Sequence, residues 1–332
     1  MYRRLDNFLT QFAQGGALTS ATLALVAIAA DRLWCWPAKW HPLTLVQLLA
    51  RRMAIKVQTP VDAVAQQHVI SGTLAYLVLF GPLLILMALL LEFAAYKSFF
   101  EGLLLYLTLG FAQVRKVYTR VITALAKKQK TLAREWLSQT VKRDTSSLSD
   151  IGVGKAAMES LLLRFFYQYV TVIFLFMVGG IVLAMTYRCA LECRWQWKRP
   201  QAGSDFFVVP VTFFCRLCQW LPCAIMTLLL KLVIWPKLNH QKGREPVRVS
   251  PPKIGFWHLA PLIIRTFSCK LAIALSGPMY YQKIKVNLPR LGMPFQVRLS
   301  DMKATETIIE LLSLVMSCLL IVLIAFSLYL TK

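Results

Sequence analysis

The chain has 332 residues, of which 57% are hydrophobic and 16% are charged, and its formal net charge is +23. Soluble domains carry about 25% charged residues, so this composition favours a membrane protein over an ordinary soluble domain. The charge does not indicate a nucleic-acid partner, because the basic residues stand between apolar runs and no recognition-helix, zinc-finger or RNP pattern accompanies them.

Long apolar runs recur along the chain and predict membrane-spanning helices. With a rise of about 1.5 Å per residue, about 20 helical residues cross a hydrocarbon core of roughly 30 Å. We therefore expect an all-α, polytopic membrane protein of about five spans, embedded in the lipid bilayer and forming a single domain over residues 1–332. The candidate spans lie near residues 17–36, 70–96, 99–114, 165–187, 206–235 and 308–330.

The first half of the chain also indicates an orientation. Residues 70–114 are expected to form a helical hairpin with a break at Lys97–Glu101. The segment 115–164 follows, with eleven Lys/Arg against four acids. Its apolar residues recur at three- and four-residue spacing, which predicts amphipathic helices. Because Lys and Arg concentrate in cytoplasmic loops, we expect this segment in the cytoplasm and a multi-pass protein in the bacterial inner membrane.

The centre of the chain joins a polar segment to an apolar span. Arg143, Asp144 and Thr145 stand in a charged turn, and the run from Phe165 to Tyr187 then holds no charge until Arg188 closes it. At 23 residues, that run is long enough to cross the membrane as one helix. The sequence thus predicts a polar working surface at the mouth of a span.

Cysteines and an embedded cation add two weaker signals. Among eight cysteines, Cys215 and Cys218 have the spacing of a redox or metal pair. No second pair and no nearby His accompanies them, which favours small buried hydrophobes. Arg216 lies inside the apolar run 206–235. Since a cation within a span is costly, Arg216 either marks a functional position, faces the protein interior or snorkels.

Several short motifs follow one another in a specific order along residues 20–330. They are Asp31 with Pro37; Trp40-His41-Pro42; Arg143-Asp144-Thr145 with Leu148; Glu159; Gly179-Gly180; Leu183-Ala184-Met185 with Tyr187-Arg188; Leu221-Pro222; and Gly277-Pro278, Tyr281, Pro289 and Leu291-Gly292. In this order they resemble the cobalamin-biosynthesis family of adenosylcobinamide-phosphate synthases (CobD/CbiB). The resemblance implies membrane enzymes that use ATP and Mg²⁺ to join aminopropanol phosphate to the carboxylate of adenosylcobyric acid, a corrinoid intermediate, as an amide.

The retained motifs supply the candidate site. Activation of a carboxylate by phosphoryl transfer needs acids to hold Mg²⁺ and bases to hold phosphates. The resemblance makes Arg143 and Arg188 phosphate ligands and His41 an orienting or acid/base group. The other candidate substrate-binding residues are Asp144, Thr145, Gly277, Pro278 and Tyr281. A structural alternative makes Asp144 and Thr145 a helix N-cap, Arg188 an interfacial anchor and His41 a turn residue.

The chain departs from the family pattern at its acidic and amide positions. Cys35-Trp36-Pro37 occupies the position of the family's Gly-Asp-Pro, and Leu163-Arg164 and Tyr167-Gln168 occupy those of its Glu-Asn and Asp-Gly. Leu191 and Arg194 replace an Asn and an Asp, and Cys215-Arg216 and Gln219 replace Asp-Asp and Asn. Ser250-Pro251-Pro252 replaces Ser-Pro-Asn. Arginine at such positions would repel a metal, so no metal ligand and no catalytic residue is assigned. Asp144 and Glu159 stand among basic residues, where an ion pair is expected rather than bound Mg²⁺.

Two functions of different classes therefore stay open. The first is a synthase-family protein of cobalamin assembly with weak or altered chemistry. The second is a non-catalytic membrane regulator, similar to the β-lactamase-induction protein AmpE, whose apolar-aromatic run before a Gly-Gly pair looks like residues 161–180 here. The retained Trp-His-Pro and Arg-Asp-Thr motifs favour the first function, and the missing carboxylates favour the second.

Overall fold

The computed structural model describes residues 16–37, 40–57, 64–198, 206–233, 258–281 and 284–330, so the Ser250-Pro251-Pro252 motif lies outside the described residues. Helices form most of the described chain, which confirms the all-α prediction. In order they are α1 (Ala17–Leu33), α2 (Pro42–Val57), α3 (Ala65–Phe93), α4 (Lys97–Leu109), α5 (Phe111–Ala126), α6 (Lys130–Ser138), α7 (Asp150–Arg164), α8 (Thr171–Trp197), α9 (Val209–Val233), α10 (Leu259–Lys270) and α11 (Leu299–Leu330). A π-helical turn, Phe165–Val170, joins α7 to α8, and a 3-10 turn, Phe206–Val208, leads into α9.

Four helical stretches are long and apolar enough to cross a membrane. They are Ala65–Phe93, Asp150–Trp197, Phe206–Val233 and Leu299–Tyr329. Large apolar side chains on α3 and α11, such as Leu77 and Ile321, are more than half exposed. A soluble surface would not carry such apolar bands, whereas lipid accommodates them. The structure thus confirms the prediction of a membrane protein with several spanning helices.

Two of the expected spans are shorter than the sequence suggested. α1 has 17 residues and α4 has 13, and 13 residues reach only about 20 Å. The break after α3 lies at residues 94–96, and Lys97–Glu101 already belongs to α4. The expected span 99–114 is divided at Gly110, whose φ of +54° ends α4 and starts α5 in a new direction. Glycine suits this position because it has no Cβ and therefore adopts the left-handed backbone conformation without a steric clash.

The central apolar run is not one straight span. Inside it, Gly179 and Gly180 leave helical geometry, with φ/ψ of −134°/18° and +68°/−170°. Contacts pair residues on either side of this point: the Tyr187 hydroxyl donates to the Tyr167 carbonyl, and the Arg164 guanidinium lies over the Trp195 ring. The chain therefore turns back on itself at the glycine pair. The expected single crossing at residues 165–187 is instead the tip of a helical hairpin.

The basic segment after α4 folds as two amphipathic helices, α5 and α6. They are separated by a tight turn in which Lys128 has a φ of +58°. α5 buries Tyr118 and Val121, and the Tyr118 hydroxyl donates to the Met302 carbonyl at the start of α11. The amphipathic pattern expected for residues 115–164 thus packs its apolar face on the rest of the protein.

Short strands, which the sequence did not predict, follow α10. β1 (Ala274–Ser276) pairs with β4 (Arg290–Gly292), and β2 (Met279–Tyr281) pairs with β3 (Ile284–Val286), both antiparallel. One pair is thus nested within the other along the chain. At Gly292, with a φ of +104°, an added Cβ would collide with the Ile273 carbonyl and the Ser268 side chain.

The core sits around the hairpin. Tyr187 and Trp197 are among the largest fully buried side chains, and the Trp197 indole donates to the Ala50 carbonyl of α2 at 2.8 Å. The returning arm of α8 packs against α2, α4 and α9. Polar groups on this arm are therefore held inside the protein rather than facing lipid.

Candidate functional site

The Arg143-Asp144-Thr145 turn is built by local hydrogen bonds. The Asp144 Oδ1 accepts from the Ser146 backbone N–H at 3.0 Å and from the Ser146 hydroxyl at 2.6 Å, an Asx turn. The Leu148 N–H donates to the Thr145 carbonyl. The N-cap of α7 is Ser149, whose hydroxyl accepts from the Gly152 N–H. The alternative in which Asp144 and Thr145 cap a helix is therefore wrong.

Two motifs that are far apart in the sequence meet at this turn. The Asp144 N–H donates to the Tyr280 carbonyl of β2 at 2.8 Å. This bond places Arg143, Asp144 and Thr145 beside the strand that contains Tyr281 and follows Gly277 and Pro278. Six of the eight candidate residues from the sequence thus lie in one region, and Pro278 is its exposed member.

Glu159 of α7 links the two motifs. Its Oε2 lies 3.3 Å from the Arg143 Nη2, and its Oε1 accepts the Ser276 N–H at 2.6 Å. The side chains of this ion pair are only 9% and 8% exposed. Ser276 has a φ of +59° and Gly277 a φ of +122°, so the chain bends sharply where the carboxylate holds it. The ion pair expected among these basic residues is present.

Tyr281 completes this group, which we call the Arg143 cluster: Arg143, Asp144, Lys155, Glu159, Ser276, Gly277, Tyr281 and Arg290. Burial raises the pKa of the Tyr281 phenol; nearby Arg143 opposes the rise and Glu159 adds to it. At Gly277 an added Cβ would touch the Arg290 side chain at 3.3 Å. The Lys155 ammonium interacts with the charges of Arg290 and Glu159. The cluster thus gathers three cations around one paired carboxylate and one Asx-turn carboxylate, a balance that suits an anionic ligand.

Arg188 lies in a separate place, inside the hairpin. It is 3% exposed; its Nη1 lies 2.6 Å from the Glu192 Oε1, one helical turn away, and its Nε donates to the Thr108 carbonyl at 3.0 Å. The Arg188 guanidinium also lies 5.6 Å from the centre of the Trp195 ring. Arg188 is therefore a buried, paired residue and not the interfacial anchor of the structural alternative.

His41 lies near Arg188 and caps α2. Its Nδ1 accepts the Leu43 N–H at 3.2 Å, and its ring lies against Gly110, where an added Cβ would meet the Nε2 at 3.4 Å. Burial, and secondarily the Arg188 charge, lower the pKa of the His41 imidazole to about 4. The ring is therefore neutral at physiological pH, as a capping acceptor must be.

A third group surrounds Trp195, and we call it the Trp195 cluster: Lys142, Arg164, Tyr167, Arg188, Glu192, Arg194 and Trp195. The Arg164 guanidinium lies 4.9 Å from the Trp195 ring centre and donates to the Thr140 carbonyl at 2.6 Å. The Lys142 ammonium donates to the Trp195 carbonyl. The Arg194 guanidinium lies 5.8 Å from the Tyr167 ring centre.

Comparison with known proteins places the chain in a family. The family model described as CobD/Cbib protein matches residues 24–192, half of the chain. The cobalamin biosynthesis protein CobD of Chromobacterium violaceum is 30% identical over 281 residues, 83% of this chain and 87% of that protein. The chain belongs to the CobD/Cbib family. The CobD proteins of Stutzerimonas stutzeri and Yersinia enterocolitica are 29% and 27% identical, over 80% and 55% of this chain and 85% and 58% of theirs. No solved structure matches it.

The CobD/Cbib family implies ATP and Mg²⁺, and the described residues do not fit the metal. Glu159 is held by Arg143 and Ser276, Glu192 contacts Arg188, and the Asp144 Oδ1 accepts two bonds from Ser146. No group of three or more His, Cys, Asp or Glu side chains with metal-binding geometry occurs within the described ranges. A hard divalent cation needs oxygen ligands that are not already neutralised by arginine.

Sequence reasoning missed several residues in or next to these clusters. Arg164, Arg194 and Gln219 were noted only as departures from the CobD/Cbib pattern, yet all three lie near the hairpin, where the Gln219 amide donates to the Tyr187 hydroxyl at 2.8 Å. Lys142 and Trp195 carried no motif signal. The turn at Gly179–Gly180 is the signal that could have identified them. A reversal there brings together residues that are equally far from the glycine pair along the sequence, before and after it.

Proposed function

We propose that this CobD/Cbib-family chain acts in cobalamin biosynthesis as a membrane protein that binds a phosphorylated corrinoid intermediate. The observation that carries the proposal is the meeting of the Arg143-Asp144-Thr145 and Gly277-Pro278-Tyr281 motifs through the Asp144–Tyr280 bond and the Glu159 bridge. Relatives named for cobalamin biosynthesis cover most of the chain. Arg143, Lys155 and Arg290 supply positive charge of the kind that phosphate groups require.

We further propose that Mg·ATP-dependent amide formation is absent. The pairing of the carboxylates supports this proposal. The carboxylates of the Arg143 and Trp195 clusters are paired with arginine or hydrogen-bonded within a local turn, as described above. Arg164 and Arg194 stand where the family has amide or acidic groups, and they would repel Mg²⁺. In this proposal Asp144 shapes its loop, Glu159 orients Arg143 and Ser276, and no residue is assigned a catalytic step.

We place the protein in the bacterial inner membrane as a multi-pass protein, with residues 115–164 in the cytoplasm. The basic excess of that segment supports this orientation. Fusions of alkaline phosphatase and green fluorescent protein after Gln129 test it. Fluorescence without phosphatase activity is the expected result, and phosphatase activity at Gln129 would reverse the orientation.

Binding and turnover should be measured separately on purified protein in neutral detergent. Adenosylcobinamide phosphate and adenosylcobyric acid are coloured, so equilibrium dialysis followed by absorbance measures their binding directly. We expect binding that weakens about tenfold or more in Arg143→Gln and not in Lys127→Gln, whose side chain is exposed. We expect no amide product with Mg·ATP and aminopropanol phosphate.

Each outcome separates the candidate functions. Amide formation that disappears in Asp144→Ala would overturn the absence of catalysis. Failure to bind either corrinoid would overturn the pathway role and favour the membrane regulator, the second candidate. The observation that favours the regulator is the same arginine pairing of Glu159 and Glu192, since a regulator needs no free carboxylates.

A further inference from the structure

Three cations of the Trp195 cluster have no carboxylate of their own. Four ion pairs occur within the described ranges, and none includes Lys142, Arg164 or Arg194. Glu192 is the acid that lies among them, and it already contacts Arg188 at 2.6 Å. Within the described residues, the positive charges of this cluster therefore outnumber its carboxylates.

Such an imbalance is costly inside a protein, because buried charge is normally paired. The Arg194 Nη1 is buried without a hydrogen-bond partner among the described residues. The Arg164 guanidinium spends one bond on the Thr140 carbonyl and otherwise lies over the Trp195 ring. A guanidinium has five N–H donors, so these two arginines have capacity for further acceptors.

The cluster is also reachable. Lys142 is exposed, and Arg164, Arg194 and Trp195 are half-buried. The Tyr167 and Trp195 rings stand 6.5 Å apart at 65° and hold Arg164 and Arg194 on their faces. Stacking on rigid rings fixes a guanidinium fork in place, which lowers the entropy lost when an oxyanion binds.

We propose that the Trp195 cluster binds a phosphate-bearing ligand without a divalent metal, with Lys142, Arg164 and Arg194 supplying the positive charge. Phosphate suits the site because it carries up to two negative charges and accepts bidentate bonds from arginine. The Trp195 cluster is distinct from the Arg143 cluster, and this inference stands whether or not the chain binds a corrinoid.

The test uses the full chain, purified in neutral detergent with EDTA, and inorganic phosphate as the probe. Isothermal titration should give saturable binding that chloride at equal ionic strength does not reproduce and that added Mg²⁺ does not tighten. We expect Arg164→Gln, Arg194→Gln and Lys142→Gln each to weaken binding about tenfold, since each removes one charged contact. Lys127→Gln, on an exposed turn outside the cluster, should bind as the parent does.

The exposed Lys142 keeps the test decisive if the arginine variants fail to fold. Binding that needs Mg²⁺, that chloride reproduces, or that Lys142→Gln leaves unchanged would overturn the proposal. Two sources of phosphate are then separated in nanodiscs. Competition by phosphatidylglycerol, compared with phosphatidylcholine alone, identifies a lipid headgroup, and undiminished phosphate binding identifies a soluble ligand. Because corrinoid binding is measured separately, failure of the proposed function leaves this result unaffected.

Discussion

The Tyr187 hydroxyl donates a hydrogen bond to the Tyr167 carbonyl at 3.1 Å and accepts one from the Gln219 amide at 2.8 Å. These two bonds tie the returning arm of α8 to its outgoing arm and to α9. Tyr187 is fully buried. If the hydroxyl were lost, the buried carbonyl and amide could not replace it with a hydrogen bond to water.

Tyr187→Phe should therefore destabilise the protein although it removes a single oxygen. Leaving buried polar groups unsatisfied costs about 1–3 kcal/mol. The loss is measured as a lower midpoint of thermal unfolding in detergent. Tyr96→Phe is the matched control, since Tyr96 is 77% exposed, and its midpoint should not move. Equal midpoints for both variants would show that the bond does not hold the hairpin.

Gly180→Ala should disrupt the reversal itself. With φ/ψ of +68°/−170°, Gly180 occupies a backbone region that is nearly exclusive to glycine. An alanine there is strained by about 1–3 kcal/mol even though the space around it is open. Thr73→Ala, on an exposed face of α3, is the control and should be neutral or stabilising because alanine favours helix. Comparing expression and unfolding of the two variants checks this, and a stable Gly180→Ala protein would contradict the turn.

Much of the fold follows from the sequence because lipid imposes a simple rule. Apolar runs of sufficient length had to become helices, and the ranges around Ala65–Phe93 and Leu299–Tyr329 were found on that basis. The same rule failed at Phe165–Tyr187, because hydropathy does not report where a chain reverses its direction. A Gly-Gly pair inside an apolar run has the hydropathy of other small residues. The change of direction at Gly110 was not predicted for the same reason.

The sequence predicted the part of the candidate site that is built from whole motifs. It did not predict the surroundings of single residues. The Arg143 and Gly277 motifs converge, and the arginine–glutamate pairing followed from the surrounding charge. Arg188 could be placed at the end of an apolar run but not inside a hairpin. Its contacts with Glu192 and Trp195 depend on a reversal that only the backbone at Gly179–Gly180 reveals.

Glu159→Gln should cost far more stability than an equivalent change at the surface. Glu159 is paired with Arg143 in a nearly buried setting, and breaking such a pair costs about 3 kcal/mol because the other charge is left unpaired. Glu92 pairs with Lys97 in solvent, and its loss costs less than about 1 kcal/mol. Unfolding midpoints of Glu159→Gln and Glu92→Gln measure the difference. A double variant with Arg143→Gln should recover part of the loss, and no recovery would mean that the two side chains are not coupled.

His41 should make the stability depend on pH. Its pKa is lowered to about 4 in the folded protein, against an ordinary value of 6.5. Between these values the unfolded chain binds a proton that the folded chain refuses, so the free energy of unfolding falls as the pH drops from about 6.5 to about 4. Above pH 6.5 the imidazole is neutral in both states, and its contribution is fully present and constant.

His41→Asn isolates this effect, because an asparagine oxygen can accept the Leu43 N–H as the imidazole does but cannot titrate. The variant should unfold at nearly the parent's midpoint at pH 7.5 and lose less stability on acidification to pH 5. His258→Asn is the matched control: His258 also precedes a helix, but it is exposed and makes no capping bond. The slope of the unfolding midpoint against pH is the measurement. Parallel slopes for the parent and His41→Asn would show that the His41 proton is not linked to folding.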